Sequence, residues 1–231
     1  MINTAIIYSR INSKRLKNKA LLKVYKKKCL IEKVVENTLK IKSIKKIIIA
    51  TTKSKEDKIF EKILKKYEID FFYGSTNNLI ERTIECSQNY NFDYFLRICG
   101  DRPFFSFSHI DSIISNFNLK NQKKFDLISN NKKKKLVDQG LTIEIISSNS
   151  LKKLKLKKDL TKYNLENITS YYYQNYKKFN INYLKSPKNW FLNNKYTIDD
   201  KNDLKKMRRI ISKVGYNNFD IRMADKIIRK F

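Results

Sequence analysis

Two rhythms of apolar and polar positions alternate through the first half of the chain. Residues 4–8 form a short apolar run that stops at a polar, basic loop, the pattern of a buried strand. Residues 30–41 then place Ile31, Val34, Val35, Thr38 and Leu39 at helical spacing. A β-branched strand follows over 46–51, with Ile47, Ile48 and Ile49 consecutive. Ser54 has the chemistry of an N-cap, with Glu56 and Asp57 in the first turn of a helix carrying Ile59, Phe60, Ile63 and Leu64. The alternation continues with a strand over 69–73 ending at Gly74, a helix over 78–90, a strand over 93–98 and a helix over 108–117. Four β–α units with near-continuous apolar strands predict a parallel sheet covered on both faces.

The second half is less regular. Strands are expected over 125–129 and 141–147, a helix over 165–176, an edge strand over 179–184, and a short strand ending at Asp199. A helix over 200–213 turns Leu204, Met207, Ile210 and Ile211 inward. No linker, internal repeat or coiled-coil heptad interrupts the chain, so one domain over 1–231 is the simplest account.

Composition narrows the function classes. No run of about 18 apolar residues occurs, so no membrane insertion is expected, and the apolar stretch at the amino terminus is too short for a signal peptide. Cys29, Cys86 and Cys99 are odd in number with no paired spacing, and read as reduced thiols of a cytoplasmic protein. The single histidine, His109, excludes most His-dependent metal and triad chemistry. A formal charge of +29 fits a nucleic-acid or anionic-membrane binder. The lysines are spread along the whole chain, however, beside abundant Asn, Ile, Tyr and Phe, as AT-rich codons would produce in any fold. The densest cluster, 132–135, reads as a solvated loop, and no nucleic-acid partner is expected.

Three predicted strand ends carry residues suited to chemistry, and in an open parallel sheet ligands gather there. After the first strand, Arg10, Ser13, Arg15 and Lys19 could give a triphosphate forked donors, a hydroxyl and a point charge. On composition alone, a solvated basic turn is the simpler account. The loop is not a glycine-rich phosphate loop, because no glycine precedes Gly74. At the end of the fourth strand, the segment from Arg97 through Gly100 and Asp101 to Pro103 aims a carboxylate suited to a hard cation, or forms an Asp turn before a helix. The third is the stretch from Thr197 to Leu204, where Asp199 ends the strand and Asp200 caps the next helix. Asp101 and Asp199 are either a metal-holding pair or two unrelated caps.

The loop resembles the R-x-x-S-x-R-L-x-x-K motif that opens cytidylyltransferases, especially the branch similar to spore-coat polysaccharide biosynthesis protein F, with the enzymes that activate acylneuraminate and 3-deoxy-manno-octulosonate. Further likenesses follow in order: Ala50-Thr51; Gly74-Ser75 through Leu79, Ile80 and Arg82; Arg97 to Pro103; Gly140 to Glu144; Leu165 to Thr169; and Thr197 to Leu204. They cover about residues 4–212. The resemblance implies an α/β, single-domain, Rossmann-like nucleotide-diphospho-sugar transferase fold, a mostly parallel sheet flanked by helices. It implies transfer of CMP from CTP to an acidic sugar for surface polysaccharide, dependent on Mg²⁺, with pyrophosphate released and a homodimer as a common state of relatives. By position, Arg10, Ser13, Arg15, Lys19, Arg82 and Arg97 would bind nucleotide, and Glu144 the sugar. Asp101 and Asp199 would be metal ligands, catalytic together with Lys19. Departures are Lys17 for the usual Pro, Asn167 for the usual His, and Asp200-Lys201 for Thr-Pro. A uridylyl- or guanylyltransferase acting on a sugar 1-phosphate is the nearer rival, and a non-enzymatic nucleic-acid binder the remoter one.

Overall fold

The computed structural model describes residues 1–13, 15–119, 125–132, 136–186, 190–214 and 221–230. The chain runs β1 (Ile2–Tyr8), a small hairpin of β2 (Lys23–Tyr25) and β3 (Lys28–Cys29), α1 (Leu30–Thr38), β4 (Lys46–Thr52), α2 (Ile59–Leu64), β5 (Asp70–Gly74), α3 (Leu79–Tyr90), β6 (Tyr94–Cys99) and α4 (Phe107–Leu119). It continues with β7 (Leu127–Ser129), β8 (Glu144–Ser147), α5 (Ser148–Lys155), α6 (Lys162–Glu166), α7 (Ser170–Gln174), β9 (Ile181–Tyr183), α8 (Lys201–Val214) and α9 (Ile221–Ile228).

Seven of the strands join one sheet in the order β5-β4-β1-β6-β8-β7-β9. The first four are mutually parallel, β8 runs antiparallel to both β6 and β7, and β9 closes the edge parallel to β7. The arrangement is Rossmann-like α/β. Side-chain alternation on the pleat feeds two layers. Ala5 and Ile7 of β1, with Ile47 and Ile49 of β4, pack toward α1 and α8 through Val34, Val35, Met207 and Ile210. Ile6 and Tyr8, with Ile48 and Ala50, face α3 and α5 through Ile80, Ile84, Leu151 and Leu154. The inward side chains expected of the helix over 200–213, Leu204, Met207, Ile210 and Ile211, are buried on α8.

Four expectations are corrected. The helix expected over 165–176 is two short helices, α6 and α7, broken at Asn167–Thr169, where Ser170 Oγ donates to the Asn167 carbonyl at 2.6 Å. The segment ending at Asp199 is not a strand; it touches its neighbour through one bridge, Gln139 to Lys195, so its extended backbone lacks a ladder. The strand expected over 141–147 pairs only from Glu144 onward, because Asn130 Oδ1 takes the Ile143 N–H and its amide donates to the Leu141 carbonyl. Ser54 precedes a 3-10 turn, Lys55–Lys58, and its hydroxyl binds the Glu56 carboxylate rather than capping the backbone. The hairpin, α5 and α9 had no expectation. The lysine cluster at 132–135 lies outside the described residues except for Lys132, whose Nζ stands 4.8 Å from the Tyr183 ring centre.

The topology sets the position of the site. From β1 the chain crosses to β4 and β5 on one side and returns to β6 on the other, so the loops leaving β1 and β6 diverge and open a crevice at their carboxyl ends. Gly100 draws those two ends together. Its N–H donates to the Tyr8 carbonyl at 2.8 Å, and a Cβ there would stand 2.9 Å from that oxygen. A side chain at 100 would wedge the strand ends apart and carry Asp101 away from the β1 loop. Among the described residues, no helix is long and apolar enough to cross a membrane.

Candidate active site

The crevice is a cleft of about 630 Å³, within the size range of small-molecule pockets. Its near wall is the β1 loop, where Arg10, Ser13, Arg15 and Lys19 all face the space; Lys14 lies outside the described residues. Its floor includes Tyr8, Arg82, Arg97, Cys99, Gly100 and Asp101, and Thr76, Asn77 and Leu79 flank it at the start of α3. The far wall is α6 and its end, through Tyr163, Glu166 and Asn167.

Asp101 and Asp199, ninety-eight positions apart in sequence, meet at one ammonium group. Lys19 Nζ lies 3.0 Å from Asp101 Oδ2 and 3.3 Å from Asp199 Oδ1. Arg15 reaches the same Asp199 oxygen at 2.8 Å. Backbone geometry enforces the meeting, because the Ile198 N–H donates to the Asp101 carbonyl at 3.0 Å. The other Asp199 oxygen takes Lys195 Nζ at 3.2 Å and the Thr197 hydroxyl at 3.2 Å. Burial pushes the Asp199 carboxyl upward, but Lys19, Lys195 and Arg15 outweigh it and hold the group below the usual Asp value. The Asp200 side chain accepts the Asp203 N–H at 2.9 Å, as a cap at the start of α8.

Two expected nucleotide residues, Arg82 and Arg97, are deeply set. Arg82 is buried, and its guanidinium donates to the carbonyls of Ser75 at 2.8 Å and of Thr76 and Ala50 at 3.4 Å each. Those bonds tie the 75–77 turn to the end of β4, and Arg10 adds a donation to the Thr76 carbonyl at 3.4 Å. Arg97 on β6 binds the Glu144 carboxylate. Glu144, expected at the sugar, is buried and stands behind the cleft wall, where its second oxygen accepts the Tyr173 hydroxyl at 2.9 Å. Burial pushes the Glu144 carboxyl up, and Arg97 foremost, with Arg102, Tyr173 and Thr169, brings it below the ordinary Glu range.

Sequence reasoning missed Lys195, Gln139 and Tyr163. Gln139 Nε2 donates to Thr197 Oγ1 at 3.0 Å and so braces the Asp199 segment; nothing in its local sequence marks it. Tyr163 carried a usable sign, because an aromatic and an acid three positions apart, Tyr163 and Glu166, share a face of one helix turn.

A family model described as Cytidylyltransferase matches residues 4–224. An uncharacterized protein of Methanocaldococcus jannaschii is 34% identical over 228 residues, spanning 97% of this chain and 89% of that protein. Among solved structures, a cytidylyltransferase from Leptospira borgpetersenii superposes with a TM-score of 0.86 at 26% identity, covering 99% of this chain and 94% of the other. A CMP:2-keto-3-deoxy-manno-octonic acid synthetase complexed with CTP shares the fold, with a TM-score of 0.67 at 14% identity over 91% of this chain and 98% of that one. The match over nearly the whole chain takes in all of the cleft residues above, and on that ground this chain belongs to the cytidylyltransferase family.

Proposed function

We propose that the protein transfers CMP from CTP to an acidic sugar and releases pyrophosphate. The observation that carries this reading is the convergence of Asp101 and Asp199 on Lys19, where Lys19 and Asp101 line a cation-rich cleft and Asp199 is buried behind them. A triphosphate laid along the β1 loop meets Arg10, Ser13, Arg15 and Lys19 in turn. An acceptor entering from the α6 side then faces the α-phosphorus. Its attacking oxygen forms the new P–O bond while the bond to the β-phosphate oxygen breaks, and the bridging oxygen leaves with pyrophosphate. Arg10, Arg15 and Lys19 stabilise the charge that gathers on the leaving group. Little covalent work is asked of the protein.

The two carboxylates also fit Mg²⁺. They already face one cation, and Mg²⁺ is commonly held by one or two carboxylates with phosphates and waters completing its shell. When bound, the ion would polarise the α-phosphoryl group as a Lewis acid.

The test is thermal shift with CTP, UTP, GTP and ATP, each with Mg²⁺. CTP is expected to raise Tm most, and pyrophosphate release should follow the same order across nucleotides. A larger shift with UTP or GTP would reassign the base, and no shift with any of the four would sink the nucleotide reading.

Arg15 is the most exposed of the proposed phosphate ligands, its side chain 69% exposed although paired with Asp199. Arg15→Ala removes one charge-assisted contact to phosphate, worth about 1.5 kcal/mol, and should weaken CTP binding about tenfold. Titration calorimetry checks this, and unchanged affinity would remove Arg15 from the triphosphate site.

A further inference from the structure

Residues 9–13, which carry Arg10 and Ser13 into the cleft, lie outside regular structure and contain neither glycine nor proline. Their shape depends on side chains that bind the backbone. The Ile11 N–H donates to Asp57 Oδ1 at 2.8 Å. Asp57 Oδ2 accepts the Thr51 hydroxyl at 2.7 Å, the Thr52 N–H at 3.0 Å and the Thr52 hydroxyl. The side chain is only 1% exposed, and Asp57 is absent from the cleft wall. Its place in the 3-10 turn after β4 makes it a bracket between the β1 loop and the β4 end. The bracket acts on both sides of Ile11. Ser13 N donates to the Ile11 carbonyl at 2.8 Å, and Arg10 precedes Ile11 directly.

We propose that Asp57 is a positioning residue for triphosphate binding. It touches no substrate, but by fixing the Ile11 amide it sets the direction in which Arg10 and Ser13 enter the cleft. The proposal rests on the nucleotide reading above. Its chemistry requires a carboxylate rather than merely a polar group. Two of the partners, the Ile11 N–H on Oδ1 and the Thr52 N–H on Oδ2, can only donate and sit on different oxygens. A carboxylate accepts with both oxygens, whereas an amide must turn its NH₂ toward one of these N–H groups. Asp57→Asn keeps the size and shape yet sets an amide N–H against the Ile11 N–H or against the Thr52 N–H. The acid in the first turn therefore serves the neighbouring loop rather than the dipole of its own helix.

The test compares CTP and CMP binding, by calorimetry with Mg²⁺ well below the melting temperature, in wild type, Asp57→Asn and Thr51→Val. Thr51→Val removes a donor to Oδ2 and leaves the Ile11 link intact. Asp57→Asn is expected to weaken CTP about tenfold and CMP, which lacks the β- and γ-phosphates, much less, while Thr51→Val stays within twofold for both. Equal CTP affinity in wild type and Asp57→Asn would overturn the proposal, as would equal losses in the two variants tracking their melting temperatures. Amide hydrogen exchange on wild type gives a check that does not depend on any variant folding. The Ile11 amide should be protected in the free protein, and rapid exchange there would also overturn it. Wild type that fails to bind CTP while protecting Ile11 would instead remove the nucleotide reading on which the role depends.

Discussion

Asp101→Ala is expected to lower pyrophosphate release by about a thousandfold while the protein remains folded. The size follows from what the carboxylate does in the proposed reaction. It holds Lys19 at 3.0 Å, and with Asp199 it makes the pair on which a divalent cation would sit. Losing one member of that pair forfeits several kcal/mol of charge stabilisation, and about 4 kcal/mol corresponds to three decades in rate. Stability should change little, because Asp101 lies at a strand end with part of its side chain open to the cleft, and Gly100 and Ile198 anchor its backbone through main-chain bonds. Steady-state release of pyrophosphate, with a melting curve for each protein, separates the two effects. A folded Asp101→Ala protein turning over near the wild-type rate would refute the role. CTP affinity should fall less than turnover, since the β1-loop cations remain.

That carboxylate pair shows where sequence reading reaches and where it stops. Strands such as residues 46–52 were legible because β-branched residues buried on both faces leave an unbroken apolar run, and α8 because its inward stripe repeats at helical spacing. The break between α6 and α7 was not legible. Tyr171 and Tyr172 continue an apolar pattern past Asn167, and the first helix ends in local bonds at Asn167, whose carbonyl accepts from both the Ser170 N–H and the Ser170 hydroxyl. The segment to Asp199 looked like a strand because Tyr196 and Ile198 are apolar and alternate. Tyr196 and Ile198 are fully buried, but the ladder that would make a strand is missing, and a partner's position is not local information. At the site, motif order placed Arg10, Ser13, Arg15 and Lys19 on one wall. Lys195 and Gln139, which brace Asp199, come from chain segments that no motif covers. Glu144 was legible as a residue of consequence but not as one behind the wall, because its partner Arg97 lies on β6, a strand pairing that the sequence does not announce.

Removing Glu144 should destabilise the protein more than any surface substitution. Arg97 and Glu144 form an ion pair with side chains 11% and 3% exposed, and Arg97 Nε is already buried without a partner. Glu144→Ala leaves the largely buried guanidinium without its counter-charge, a loss of about 3–5 kcal/mol. For a chain of this size that is a fall of roughly 10 °C in Tm. The same pair sets an acid limit. The Glu144 carboxyl titrates below the ordinary Glu value, so its contribution is complete above about pH 4.3 and disappears as the pH falls through the folded-state value. Wild type should therefore lose stability steeply below about pH 4, and Glu144→Ala should show a flatter acid limb from its lower plateau. Arg97→Met with Glu144→Leu should restore most of the lost Tm, because replacing a buried pair with apolar groups costs far less than breaking it. The double variant should still bind CTP more weakly than wild type, since Arg97 faces the cleft. Recovery of Tm without recovery of affinity would separate the two duties of Arg97, as a core ion and as part of the cleft floor. A Glu144→Ala protein melting within 2 °C of wild type would contradict the account, because an unpaired buried guanidinium cannot cost so little.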